Sequence, residues 1–300
     1  MKNKTRLTQL LLIIAGVAVI AIIKIAPRHN KSDRKTLANE EALLEVTHLH
    51  DHSHDHDHDA EADKEFSEVP SPTVDSALSS QFALLEDKVS HSDNDEEIAL
   101  LYDSLVDLSV RSKLPAYAAR YGKRKAMVLP TEKNWMRSGD IYFKAFQMSK
   151  KQSKSMINGA VAAYQKVLEI NPENLEAKTG LGVAYVEGAS ILGMMPMKGI
   201  GVLQEVLNSD PENINAITNL GYFAIQSGQY EKAIERFETV LEIDPENAEA
   251  YIYLTDVYLT MGEKEKGIET LQKFKVIMND PRVDRQVEDY IKEIKGNNNI

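Results

Sequence analysis

The sequence predicts an all-α fold, and three observations support this prediction. From residue 73 onward, apolar residues recur at the i, i+3, i+4 and i+7 spacing that forms one buried stripe along a helix. The segment 214–247 contains two such helices, separated by Ser227-Gly228-Gln229 and closed by Pro245. Segments of the same kind lie next to it in the sequence. Because two short helices cannot bury their stripes alone, we expect these segments to stack on one another.

Composition limits the functions that this chain can have. Its 300 residues carry a formal net charge of −11, which argues against general nucleic-acid binding because phosphate neutralisation needs clustered Lys and Arg. The basic residues Arg120, Lys123, Arg124 and Lys125 are therefore interpreted as the solvated face of a helix. The chain has no cysteine, which excludes disulfides, thiolate metal sites and a cysteine nucleophile.

An apolar segment near the N-terminus predicts a membrane anchor. Residues 1–6 form a basic tail, and no charge occurs from Leu7 to Ile23, a length near the lower limit for a membrane-spanning helix. A cleaved signal peptide is the alternative, but no small-x-small cleavage site precedes Pro27. We therefore expect a single-pass transmembrane helix over 7–26. The basic tail favours an extracytoplasmic (periplasmic) position for the rest of the chain, and the cytoplasmic orientation stays open because the second flank is also basic.

A polar linker is expected over residues 27–72. It lacks sustained apolar periodicity and cannot bury enough surface to offset the entropy of ordering, so we expect it to be disordered. Within it, six histidines alternate with mostly acidic residues, at His48, His50, His52, His54, His56 and His58. Closely spaced imidazoles bind Zn, Ni or Cu, so weak metal binding is one hypothesis for these residues. The other is a polar spacer, since the pattern implies no fixed geometry.

Three helices are predicted in the next region, residues 73–130. Apolar stripes run through 74–89 and 93–114, and the second begins with acidic residues that suit a helix N-terminus. Pro115 favours the start of a third helix, because its missing amide donor would be unpaired there in any case. Residues 93–127 are a candidate degenerate copy of the helix pairs found later in the chain.

Four copies of a helix pair follow between residues 131 and 280, at 131–174, 175–213, 214–247 and 248–280. Their shared pattern is W-x2-L-G-x2-Y, A-x3-F and P, with a period of about 34 residues. Residues at these positions include Trp135, Gly139, Tyr142, Ala160, Tyr164 and Pro172; Leu181, Gly182, Tyr185, Leu203 and Pro211; Leu220, Gly221, Ala233, Phe237 and Pro245; and Tyr251, Leu254, Tyr258 and Leu271. On these residues the chain resembles the tetratricopeptide repeat family, which implies a right-handed α-solenoid.

Two copies are longer than the repeat pattern. The first has nine extra residues between Tyr142 and Ala160, and the second has five between Tyr185 and Gly199. Both insertions fall at the turn within a pair, so we expect them on the same edge of the solenoid. Three methionines in the second insertion are interpreted as an apolar lining of that turn. After the last copy, residues 281–295 predict a capping helix with charged outer faces, and 296–300 form a tail.

In the tetratricopeptide family, particular positions of each first helix line a concave groove. The resemblance carries this role onto Met136, Asp140, Phe143, Thr179, Val183, Val186, Thr218, Tyr222, Ile225, Ile252, Asp256 and Leu259. Domains of the family that clamp an acidic C-terminal peptide have Lys and Asn there, which this chain lacks, so that partner is not expected. An apolar or amphipathic peptide or helix suits this lining better. The alternative is that part of the lining packs within the solenoid.

The leading functional prediction is a membrane-anchored scaffold for protein–protein interaction, with a protein or peptide partner. Handling or buffering of Zn, Ni or Cu through the histidine-rich linker is the alternative. The sequence has no phosphate-binding loop, metalloprotease helix or nucleotide fingerprint, so we expect no catalytic residues, no cofactor and no enzyme activity.

Overall fold

The computed structural model of the chain describes residues 76–148 and 154–296. Every regular element within these two ranges is a helix, which confirms the all-α prediction for them. The helices are α1 (Ser76–His91), α2 (Asp95–Arg111), α3 (Pro115–Val128), α4 (Glu132–Met148), α5 (Lys154–Ile170), α6 (Leu175–Glu187), α7 (Ala189–Leu192), α8 (Met197–Ser209), α9 (Ile214–Gln226), α10 (Tyr230–Ile243), α11 (Ala248–Thr260), α12 (Lys264–Met278) and α13 (Pro281–Gly296).

The predicted anchor, the linker and the histidine tract lie outside the described residues, as does the tail from residue 297. In the part of the chain that is described, no helix combines the length and the apolar character needed to cross a membrane. By their internal contacts, the described residues divide into an N-terminal unit, residues 76–216, and a C-terminal unit, residues 217–296. The right-handed superhelical sense stays a prediction.

The N-terminal unit begins with three helices and continues with two helix pairs. Helix α2 packs against α1 and α3, and α3 packs against α4. Their shared core contains Phe82, Tyr102, Leu105 and Tyr121, and the Tyr121 hydroxyl donates a hydrogen bond to Glu86 at 2.6 Å. A second core, between α4, α5 and α6, is built from large side chains, and the repeat pattern supplies the tyrosines among them. It includes Tyr142, Phe146, Ile157, Tyr164 and Tyr185.

The two insertions change the N-terminal unit in different ways. The first lengthens both helices of its pair, since α4 and α5 have 17 residues each. The second forms the separate short helix α7 between α6 and α8. The methionines of that turn do not all line it: Met194 is half-buried against the core, whereas Met195 and Met197 are 74% and 63% exposed. The expectation of an apolar lining is therefore correct only for Met194.

Small residues allow the paired helices to approach closely. A Cβ atom placed on Gly182 of α6 would lie 3.1 Å from the carbonyl oxygen of Gly199 on α8, so neither position accepts a larger side chain without movement of the backbone. In the C-terminal unit, a Cβ atom on Gly221 would lie 2.8 Å from the ring of Phe237. The glycines of the repeat pattern therefore mark contacts between the two helices of a pair.

Turns and caps set the boundaries of these helices. Each Pro-Glu-Asn turn ends in an asparagine whose side-chain oxygen accepts the amide of the third residue of the next helix. The three bonds run from Ala177 to Asn174 at 2.7 Å, from Ala216 to Asn213 at 3.0 Å and from Ala250 to Asn247 at 3.0 Å. Within the last two pairs, Gly228 and Gly262 form the turns with φ of 72° and 81°, a conformation that favours glycine.

In the C-terminal unit, α13 packs against α12 over a separate core. The predicted stripe of Val283, Val287 and Ile294 is buried there together with Leu271 and Phe274. The remaining surface of α13 is largely exposed and charged, which is the arrangement expected of a helix that ends a repeat array.

Candidate groove surface

The predicted groove residues of the N-terminal unit keep only part of their surface accessible. Asp140 is exposed, and Met136, Phe143 and Val186 are half-buried. The other two, Thr179 and Val183, are buried at 8% and 9% exposure. The Thr179 hydroxyl donates to the carbonyl oxygen of Leu175 at 2.8 Å, so it is already satisfied within α6. A ligand would therefore meet mainly the residues contributed by α4.

Asp140 has a hydrogen-bond donor inside its own unit. The hydroxyl of Tyr164, on α5, donates to the Asp140 carboxylate at 2.9 Å. Burial of the carboxyl raises the pKa of Asp140, and the hydrogen bond from Tyr164 opposes that rise. Asp140 as a whole is exposed, but its carboxylate accepts a hydrogen bond that joins α4 to α5.

All six predicted groove residues of the C-terminal unit are half-buried. Helix α9 contributes Thr218, Tyr222 and Ile225, and helix α11 contributes Ile252, Asp256 and Leu259. The i, i+4, i+7 spacing places each set of three along one face of its helix. Ile252 and Leu259 also pack against the core beneath α13, so each side chain is partly in the core and partly accessible at the surface. Part of the predicted lining in the C-terminal unit therefore contacts the core.

Aromatic residues of the C-terminal unit connect this surface to its core. The Tyr222 ring lies 6.0 Å from the ring of Tyr253, which stacks on Phe237 at 4.9 Å. Tyr253 immediately follows Ile252 in α11, and the repeat pattern does not single it out. Only the contact across α9, α10 and α11 places it beside Tyr222, so nothing in the sequence alone could identify it.

The carboxylate of Asp256 lies in this aromatic surrounding. Burial raises the pKa of Asp256. The negative charge of Asp256 interacts electrostatically with the phenol groups of Tyr253 and Tyr290. Burial, followed by the charges of Asp256 and Glu293, raises the pKa of Tyr290 to about 12. Among residues 76–148 and 154–296, Asp256 forms no hydrogen bond or ion pair. This sets it apart from Asp140, whose carboxylate accepts a bond from Tyr164.

The same two ranges contain no group of three or more His, Asp or Glu side chains arranged to hold a metal ion. The six histidines of the linker lie outside them, and their metal binding stays a prediction. The expectations of no cofactor and no catalytic residues also stay predictions.

Comparison with known proteins bears on the fold. Residues 224–284 match the family model described as a tetratricopeptide repeat, which confirms the resemblance over that part of the chain. No curated protein sequence matches the chain. Among solved structures, the chain is similar to a MamA RS-1 ArsTM double mutant, with a TM-score of 0.43, 19% identity, and coverage of 60% of this chain and 94% of the other.

Two further solved structures show comparable similarity. YrrB, described as a tetratricopeptide repeat protein with an unusual peptide-binding site, has a TM-score of 0.40 and 19% identity, covering 68% of this chain and 97% of its own. PilF of Pseudomonas aeruginosa has a TM-score of 0.44 and 21% identity, covering 55% of this chain and 69% of its own.

Proposed function

We propose that this protein is a membrane-anchored scaffold that binds an apolar or amphipathic segment of a partner protein. The observation that carries the proposal is the half-buried surface on α9 and α11, where Tyr222, Ile225, Ile252 and Leu259 remain partly accessible. Partly exposed aromatic and aliphatic side chains at regular helical spacing suit a helix or an extended peptide that covers them. The tetratricopeptide match over residues 224–284 supports this reading, because the family binds protein and peptide partners.

Tyrosine at the centre of such a surface favours recognition over simple packing. Tyr222 presents an apolar ring and a polar hydroxyl, and only two side-chain torsions need to be fixed when it binds. Its ring contacts Tyr253, which is itself held by stacking on Phe237. A partner side chain that covers Tyr222 would therefore gain apolar contact at a small entropic cost.

The experiment compares proteins captured by the full chain with those captured by the variant Tyr222→Ala/Ile252→Ala, both solubilised in detergent. The control is Val276→Ala, which removes an apolar side chain that is 75% exposed on α12. Partners of the groove should be captured by the wild type and the control and lost from the double variant. An identical set of partners from all three proteins would contradict the proposed role of this surface.

The membrane anchor is the second component of the proposal. It rests on the uncharged run from Leu7 to Ile23 and on the missing cleavage site before Pro27. The full chain should sediment with membranes after carbonate washing, and a chain that starts at residue 27 should not. Protease added to intact cells should leave the chain uncut and cut it after the outer barrier is opened, if residues 27–300 lie in the periplasm.

A further inference from the structure

We infer that Asp256 is a recognition site for a cationic side chain, Lys or Arg, of the bound partner segment. This inference rests on the proposed function and adds a charge requirement to it. The juxtaposition that supports it is one half-buried carboxylate on α11 that makes no hydrogen bond or ion pair with described residues, one turn after Tyr253, whose ring lies 6.0 Å from that of Tyr222. The other five predicted groove residues of the C-terminal unit are uncharged.

The state of the carboxylate is the first step of the argument. A half-buried carboxylate loses part of its hydration, and within proteins this loss is normally offset by a hydrogen-bond donor or a cation. In the N-terminal unit, the matching Asp140 has the Tyr164 hydroxyl at 2.9 Å. In the described residues Asp256 has no such bond, which leaves its oxygens available to an outside donor.

The cations of the C-terminal unit do not supply that donor. Five of its ten Lys and Arg side chains form ion pairs elsewhere within the described residues: Lys266 pairs with Glu263, Lys273 with Glu269 at 2.8 Å, Lys275 with Glu288 at 3.1 Å, Arg282 with Asp280 at 3.0 Å, and Lys292 with Asp289 at 3.1 Å. All five lie on α12 and α13 or next to them, and none of these pairs involves Asp256. The carboxylate is therefore uncompensated by the unit that holds it.

The surroundings of Asp256 fit a cation better than a neutral donor. Tyrosine faces attract Lys and Arg, and Tyr222 and Tyr253 lie 6.0 Å apart on the same surface. The twelve predicted groove positions contain two aspartates and no Lys or Arg. Residues 217–296 carry sixteen Asp or Glu against ten Lys or Arg, so the field of the unit also favours a basic partner.

The first experiment probes the full chain, in detergent, with an immobilised array of random twelve-residue peptides. Peptides bound by the wild type should be enriched in Lys and Arg, and the enrichment should disappear with Asp256→Asn. The control Glu265→Gln removes one negative charge from an exposed side chain on α12 and should keep the enrichment. Equal loss with both variants would mean general attraction by the acidic protein, which overturns the inference.

The second experiment measures the coupling directly with one selected peptide. Replacing its cationic residue by Gln should weaken binding to the wild type by about tenfold, as expected for a charge-assisted contact, and by less than about twofold to Asp256→Asn. The measurement on the wild type needs no protein variant, so the inference can fail even if Asp256→Asn misfolds. If the Gln peptide binds the wild type as tightly as the original, the inference is wrong.

The two proposals can fail separately. Peptides that lose binding to Tyr222→Ala/Ile252→Ala but show no preference for Lys or Arg would leave the groove function in place and overturn the role of Asp256. Peptides whose binding ignores the double variant would overturn the groove function and, with it, the inference.

Discussion

Asp140 and Asp256 occupy matching positions of their helices, yet their surroundings differ. The Tyr164 hydroxyl bonds to Asp140 in the N-terminal unit, whereas Asp256 lies beside phenols in the C-terminal unit and makes no hydrogen bond to described residues. Burial raises the pKa of both carboxyls. A carboxyl group whose pKa is raised by burial lowers the free energy of unfolding when it is ionised. Such a loss of stability is common where a side chain serves binding.

The cost should be visible as a pH-dependent gain of stability in Asp256→Asn. Because the folded state raises the pKa of Asp256, it holds the proton more tightly than the unfolded chain, so this group lowers the unfolding free energy as the pH rises. Asp256→Asn should be more stable than the wild type at pH 7, and the difference should vanish at acidic pH, below the unfolded pKa. Urea unfolding curves of the wild type and Asp256→Asn at pH 7 and at acidic pH measure this difference in unfolding free energy. A variant less stable at pH 7 would contradict it.

Two glycines on α8 should respond to the same substitution with opposite signs. A Cβ atom on Gly199 would collide with the backbone carbonyl of Gly182, whereas one on Gly201 would have no atom within 4 Å. We expect Gly199→Ala to lose about 1–3 kcal/mol of unfolding free energy through overpacking. Gly201→Ala should gain about 0.5–1 kcal/mol, because alanine restricts the unfolded chain. Equal changes in denaturant melts would show that α6 and α8 do not meet at Gly199.

At the scale of the element, the asparagine caps explain why the Pro-Glu-Asn turns recur. Proline ends one helix, and asparagine supplies the acceptor for a free amide at the start of the next. The first of these turns is also tied to α4, because Asn171 and Asn174 both donate to the Glu132 side chain. The turn thus both starts α6 and fixes it to the preceding pair.

Removing a cap should cost a measurable part of the stability. Asn247→Ala removes the acceptor for the Ala250 amide, and we expect a loss of about 0.5–2 kcal/mol. The neighbouring change Glu246→Ala affects an exposed side chain and should stay within about 0.5 kcal/mol. Asn247→Asp should restore most of the loss, since aspartate is also a good cap. A loss of the same size with Glu246→Ala would point away from capping.

Helical periodicity predicted the elements well, because it depends on spacing along one helix. Pro115 begins α3, and the stripe of Val283, Val287 and Ile294 is buried on α13, as expected. The insertions were harder to predict. The sequence gives the length of each insertion. It does not show whether the extra residues lengthen two helices, as in α4 and α5, or form a new helix, as in α7. That outcome depends on how much apolar surface the neighbouring helices leave exposed.

At the scale of the whole molecule, the histidine tract of the linker is the remaining feature with a chemical role to test. If these six imidazoles form a metal site, they should bind Zn with a dissociation constant below about 1 mM at pH 7.5, whereas a polar spacer should show no binding at that level. Calorimetry compares the full chain with a variant whose six histidines are replaced by Ser. The control replaces Asp51, Asp55, Asp57 and Asp59 by Asn and should keep most of the heat. If the Ser variant bound Zn as tightly as the full chain, the six histidines would not be the metal site.

Residue spacing in the sequence predicted the described helices other than α7, and the tetratricopeptide resemblance that the family match supports at residues 224–284. These follow from residue spacing, which acts within one helix or one pair. The tertiary structure decided which groove candidates stay accessible: Thr179 and Val183 are buried, whereas Tyr222 and Asp256 are not. It also placed Tyr253 and Tyr290 around Asp256. Accessibility and hydration depend on neighbours from other helices, and spacing along one helix carries no information about them.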